Sequence, residues 1–321
     1  MSSASEPSSL ALVLGGNGQD GGYLAEALLA RGERVLSLAR QPGSRWVAPG
    51  AGFTYQALDL TDRAALAAVL RRHRPARIFH LAAVNGSAGY SYEAGWQEAL
   101  AVNVASVHTC LEHIRTAAPD TRLFYASSLK AFGDPPPAVV AEATPRRSTC
   151  LYGITKNAGT DLVRHYRAKH GVWASVGYFC NHDSPRRPDS FFIPRLINHL
   201  LGQLPGHQPS PPVASLDFWC DWGSAQEFMQ LAADLMDAAA PGDAVFASGH
   251  PVHAAALAAE LAADLGLPAP DSPRSEPAPP FRADLSGLLA MAGRLPQLDG
   301  FAVARWMLRE RLAPSVGNIP T

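Results

Sequence analysis

Tyr152 and Lys156 stand four residues apart in the stretch YGITK, which puts them on one face of a helix. A phenol beside an ammonium is expected to have a lowered pKa, because the positive charge favours phenolate. Such a pair makes a base that can take a proton from a hydroxyl while hydride leaves for a nicotinamide. Ser128, at the end of the apolar run RLFYASS, is a hydrogen-bond partner for the reacting oxygen. A YxxxK match by itself is cheap, since surface Tyr/Lys pairs are common. Here it follows both a glycine-rich loop and a Ser-bearing strand, and that order gives it weight.

The loop is GGNGQDGGYLAEALLARG, in which Gly15, Gly18 and Gly21 have GxxGxxG spacing. Such a turn needs glycine for positive φ and close backbone approach, and it aims a helix N-terminus at a pyrophosphate. The alternative is a glycine-rich turn without a ligand. Its position after an apolar strand and before a helix favours dinucleotide binding. The next strand ends at Arg40, where an acid would suit the ribose hydroxyls of NAD(H). An arginine suits the 2′-phosphate of NADP(H), with Ser44 and Arg45 as helpers. The bland reading of Arg40 is a solvated strand end. Asp59 and Leu60 close the third strand and are placed to flank the adenine.

These residues need a frame. Short apolar runs at 10–15, 34–40, 53–60, 77–83, 122–128 and 173–179 alternate with helical spacing at 22–31, 62–74, 97–117 and 152–170. The alternation predicts an α/β fold, a doubly wound parallel sheet with strands buried on both faces. Residues 10–180 would form the dinucleotide-binding domain, with a segment at about 216–250 returning to it and VFASG as one more strand. Residues 181–215 and 251–321, rich in proline and alanine, would build a smaller substrate-binding lobe over the carboxyl edge. The 321 residues are 47% hydrophobic and 17% charged, which is ample for a large core. A net charge of −1 offers no bulk attraction to nucleic acid or an anionic membrane. The run LALVL is too short for a signal core or a membrane span. Cys110, Cys150, Cys180 and Cys220 lack metal-ligand spacing, and no metal is implied. Buried reduced thiols and a cytoplasmic location are the expectation.

Read together, the motifs resemble those of extended short-chain dehydrogenases/reductases, and within them the GDP-mannose 4,6-dehydratase family. GNGQDGGYLAEALLARG is similar to that family's GQDG-YLAE signature. LDLTD, HLAA, YASS, YGITKNAG, FCNHDSPRR, CDWGSAQEFM and FASG follow in the family's order. The resemblance implies NADP(H) as cofactor and a nucleotide-diphosphate sugar, GDP-linked, as substrate. It implies catalytic roles for Ser128, Tyr152 and Lys156. It extends the cofactor contacts to Asn17, Gln19, Asp20, Leu81, Ala82 and Ala83. Substrate contacts carried over are Asn181 and Arg195 at the phosphates, with Arg186 and Arg187 nearby. Asp221 falls either to the nucleotide ribose or to structure.

Three departures stand out. The family's glutamate two positions past the catalytic Ser/Thr is Lys130, the arginine of its RDWG segment is Cys220, and the preceding stretch HQPSPPVASLDFW is altered and shorter. A 4,6-dehydratase moves hydride from C4, eliminates water across C5–C6 and returns hydride at C6. The glutamate serves the elimination. Lys130 leaves three readings. If burial and Lys156 depress its pKa, it replaces the glutamate as base. If not, the enzyme only moves hydride at C4, as a ketoreductase, dehydrogenase or epimerase, and a fixed cation would suit a substrate bearing a carboxylate. In the third, Lys130 is a turned-out loop cation on a silent NADP-binding protein. Helices 97–117 and 152–170 are those such folds pair across a two-fold axis, so a homodimer is expected, with a tetramer dependent on residues 41–50.

Overall fold

The computed structural model describes residues 9–85, 92–271 and 280–313. The first half alternates β1 (Leu10–Leu14), α1 (Gln19–Ala30), β2 (Arg34–Ala39), β3 (Phe53–Ala57), α2 (Arg63–His73), β4 (Arg77–His80), α3 (Trp96–Leu100), α4 (Ser106–Ala117) and β5 (Arg122–Ser128). The second half holds β6 (Val139–Val140), α5 (Leu151–His170), β7 (Ala174–Phe179), β8 (Asn181–Asp183), α6 (Phe192–Leu201), β9 (Trp219–Cys220), β10 (Trp222–Ser224), α7 (Ala225–Leu235) and β11 (Asp243–Phe246). Then come β12 (Val252–His253), α8 (Ala254–Asp264), β13 (Arg282–Ala283), α9 (Ser286–Ala292) and α10 (Gly300–Leu312).

Seven strands make one parallel sheet in the order β11-β7-β5-β4-β1-β2-β3. The order reverses between β1 and β4, and an open α/β sheet binds its ligands outside the strand ends at such a point. β1 shows why the sheet is wound on both faces. Leu12 and Leu14 enter one core with α2, α4 and α5, while Ala11 and Val13 enter another with α1 and α7. A strand apolar at every position cannot face water on either side. A third apolar cluster joins α6, α8 and α10 around Trp222. In the last segment α9 packs on α7 and β11, and Leu288 joins the core that α1 and α7 share.

The helix expected over 97–117 is interrupted. Ala101–Ala105 form a π turn between α3 and α4. Asn103 on that turn is fully buried, donates to Thr155 Oγ1 at 2.9 Å and accepts from the Val84 amide at 2.9 Å. Its carbonyl accepts from the Tyr125 hydroxyl at 3.2 Å. A π turn leaves a carbonyl free for the bond from Tyr125, which an unbroken helix would not. Cys110, Cys180 and Cys220 are buried free thiols, and Cys150 is half-buried. Among the described residues no helix is long and apolar enough to cross a membrane.

Candidate active site

A cleft of about 450 Å³ opens at the carboxyl ends of the strands, with the glycine loop as its floor. Gly15 has φ +95°, and a Cβ there would lie 2.8 Å from the Ala82 nitrogen. A Cβ on Gly21 would lie 2.3 Å from the Gly15 carbonyl oxygen. The amides of Gly15 and Gly16 donate to Leu38 O at 2.9 and 3.0 Å, which pins the loop to the end of β2. The loop therefore folds tightly with bare backbone facing the cleft and the N-terminus of α1 behind it. That is a seat for a phosphate group.

Arg40, Asp59, Leu60, Leu81, Ala82 and Ala83 all line this cleft. Arg40 Nη1 lies 2.5 Å from Glu98 Oε1, a partner no motif singled out. Asp59 accepts from the Thr61 amide and hydroxyl, both at 2.9 Å, and these bonds hold its pKa below the usual carboxylate value. Asn17, Gln19 and Asp20 line the cleft too, but their side chains are engaged with protein. Asn17 donates to Gly43 O at 2.9 Å and accepts from the Arg45 amide at 2.9 Å, organising the loop after β2. Arg45 itself stacks over Trp46, 4.5 Å from its centroid. Gln19 donates to His182 O at 3.0 Å and accepts from the Ser184 hydroxyl at 2.9 Å. Asp20 faces His182 Nε2 at 3.0 Å. Burial alone would raise Asp20, but the His182 charge and hydrogen bond outweigh it and bring its pKa below the usual value. His182 moves up for the reciprocal reason, against its own burial. These contacts tie α1 to β8.

At the other end of the cleft stand Ser128, Tyr152 and Lys156. Ser128 ends β5, and the sequence YGITKNAG shows why α5 delivers Tyr152 and Lys156. Gly159 packs so closely on β5 that a Cβ would lie 2.3 Å from the Tyr125 hydroxyl oxygen. Lys156 is buried, its Nζ donating to Ala126 O at 2.7 Å and lying 5.7 Å from the Tyr152 ring centroid. Burial lowers its pKa to about 7, with Asp20 opposing. The expected drop in the Tyr152 pKa is not found. Burial raises it well above the usual phenol value, with stacked Tyr92 adding and Ser128 opposing. Burial acts on both groups, and an ammonium pushed toward neutrality at this range does not offset it.

The remaining candidates separate. Asn181 and Arg187 line the cleft, with Pro188 and Phe191, which the sequence reading did not name. Asn181 Nδ2 donates to Cys220 Sγ at 2.8 Å, and burial raises the Cys220 thiol pKa. Arg187 pairs with buried Asp183 at 2.8 Å and lies over the Phe191 ring. Arg186 bonds Glu26 at 2.5 Å and stacks on Tyr23. Arg195 and Asp221 lie outside the cleft lining. Both Asp221 oxygens accept backbone amides, from Ser248 at 2.7 Å and Gly249 at 2.9 Å, the structural alternative for this residue. Lys130 is also outside the lining. A 3-10 turn, Leu129–Ala131, swings it out to pair with Asp134, and its side chain is 44% exposed. The burial that would have made it a base is absent.

A model of the family described as GDP-mannose 4,6 dehydratase matches residues 12–271. The chain belongs to this family. It is 29% identical over 252 residues to GDP-mannose 4,6-dehydratase of Vibrio cholerae, covering 74% of this chain and 67% of the relative. It is 30% identical over 266 residues to GDP-mannose 4,6 dehydratase 2 of Arabidopsis thaliana, covering 77% and 70%. With GDP-mannose 4,6 dehydratase 2 of Caenorhabditis elegans the match covers 66% of the relative, so the chain spans about two thirds of the length of these relatives. Among solved structures, a putative epimerase from Burkholderia cenocepacia J2315 superposes with TM-score 0.80 at 22% identity, covering 96% and 99% of the two chains. The dTDP-glucose 4,6-dehydratase of Bacillus anthracis str. Ames, in complex with NAD, superposes with TM-score 0.79 at 12% identity, covering 96% and 98%. These likenesses establish the extended short-chain dehydrogenase/reductase fold.

Proposed function

We propose that this protein is an NADP(H)-dependent enzyme that moves hydride at C4 of a GDP-linked hexose and does not eliminate water. The glycine loop, folded too tightly to admit a Cβ at Gly15 or Gly21, fits a dinucleotide pyrophosphate, and Arg40 fits a 2′-phosphate. When bound, a nicotinamide supplies a hydride acceptor or donor. Tyr152 takes or returns the proton of the C4 hydroxyl, and Ser128 holds that oxygen by a hydrogen bond. Lys156, protonated as anionic phosphates fill the cleft, stabilises the phenolate. Asn181 and Arg187 contact the sugar nucleotide's diphosphate. The third apolar cluster is the core of the smaller substrate lobe.

One observation carries the absence of elimination. Among the described residues, the carboxylates lining the cleft are Asp20, Asp59 and Glu98. Asp20 is held by His182 and Asp59 by Thr61, and Glu98 stands with Arg40 at the end of the cleft opposite Tyr152. None is left as the acid and base that removal of the C5 proton and the C6 hydroxyl requires, and Lys130 is turned away. The test is incubation of purified protein with NADP⁺ or NADPH and GDP-hexoses, read by mass spectrometry. A gain or loss of two hydrogens, or exchange of the C4 hydrogen with labelled coenzyme, is expected. Loss of water from the sugar returns Lys130 to the role of base, and coenzyme binding without turnover identifies a silent binding protein.

A further inference from the structure

At the adenosine end of the cleft, one cation and one anion face each other across the switch point. Arg40 continues from β2 on one side of β1, and Glu98 lies in α3, which follows β4 on the other side. Both line the cleft, with the guanidinium nitrogen 2.5 Å from the carboxylate. Their side chains are 61% and 38% exposed, so the pair is open to a ligand and is not sealed in the core. The other carboxylate beside Arg40, Asp59, already accepts both Thr61 donors.

We propose that Glu98 is a coenzyme-selectivity residue: its carboxylate occupies the Arg40 guanidinium, so a 2′-phosphate must displace it, which narrows the preference for the phosphorylated dinucleotide. The inference rests on the reading that this cleft takes a nicotinamide dinucleotide. A 2′-phosphate brings up to two negative charges and oxygens that match the guanidinium fork. Glu98 competes for those same donors. A dinucleotide without that phosphate has no need to part the pair, so Glu98 leaves its affinity unchanged. Arg40 thus supplies the preference, and Glu98 holds it to a modest size.

The experiment is calorimetric titration of the full chain, without sugar, using NADP⁺ and NAD⁺ separately. The proteins are wild type, Glu98→Gln, Arg40→Ala and the double variant. An exposed ion pair is worth little, so Glu98→Gln should tighten NADP⁺ about three- to tenfold and change NAD⁺ less than about twofold. The gain should shrink at high salt, where the competing charges are screened. In the Arg40→Ala background the same substitution should change NADP⁺ affinity less than about twofold. Equal effects on both coenzymes, weaker NAD⁺ binding, or a full gain without Arg40 each overturn the proposal while leaving the dinucleotide reading intact. Failure of every protein to bind either dinucleotide removes that reading, and the inference with it.

Discussion

Lys156 rests its ammonium nitrogen on the Ala126 carbonyl, and burial lowers its pKa to about 7 from 10.5. Between those two values the unfolded chain holds the extra proton, so stability rises with pH across that window. Below about 7 the full penalty of the buried charge persists. Lys156→Met should therefore stabilise the protein on the order of 2–5 kcal/mol at pH 6, with the gain shrinking as pH rises toward 10. Urea unfolding at several pH values measures this, and a pH-independent gain would refute it. Filling the cleft with phosphates should pull the Lys156 pKa back up, so dinucleotide binding at pH 8 should take up protons. Titrations in buffers of different ionisation enthalpy would register the uptake, and Lys156→Met should abolish it. At this scale the meeting of Tyr152, Lys156 and Ser128 in one cleft was legible, because spacing and the end of a strand place them together. The burial that decides their protonation was not, since it depends on the whole shell around them. The same shell left three readings of Lys130 open in the sequence. Its partner Asp134 lies only four positions on, but a 3-10 turn has to bring the two together.

α5 is held to β5 by bare backbone at Gly159, and that contact sets how far Tyr152 and Lys156 reach. Gly159→Ala adds a methyl 2.3 Å from the hydroxyl oxygen of fully buried Tyr125, against which a helix-propensity gain of about 1 kcal/mol is small. A net loss of about 1–3 kcal/mol is expected, and thermal unfolding of the variant checks it. The strand pattern and α5 were readable because apolar runs and i, i+4 spacing are local signals. The π turn at Ala101–Ala105 was not. Its residues, AVNVA, look helical, and the widening comes from bonds that Asn103 makes to Val84, Thr155 and Tyr125, far along the chain.

Across the whole molecule, the switch point between β1 and β4 gathers parts from distant stretches of chain around one cleft. The order of strands and helices made that gathering foreseeable. The engagement of Gln19 and Asp20 with residues 182–184 was not, because it joins two motifs that each look self-sufficient in sequence. We expect the protein to be a homodimer joined through α4 and α5. Light scattering in solution should give twice the chain mass, and a monomer would refute it. One further contact has practical value. Trp46 donates its indole N–H to Asn17 O in the glycine loop at 3.0 Å, and its ring covers Gly22 in the first turn of α1, where a Cβ would come within 2.5 Å of it. The fluorophore thus touches the turn proposed to seat the coenzyme. Adding reduced coenzyme should quench part of the ultraviolet-excited emission by energy transfer, and Trp46→Phe should remove most of that signal, giving an optical readout of occupancy before any substrate is known.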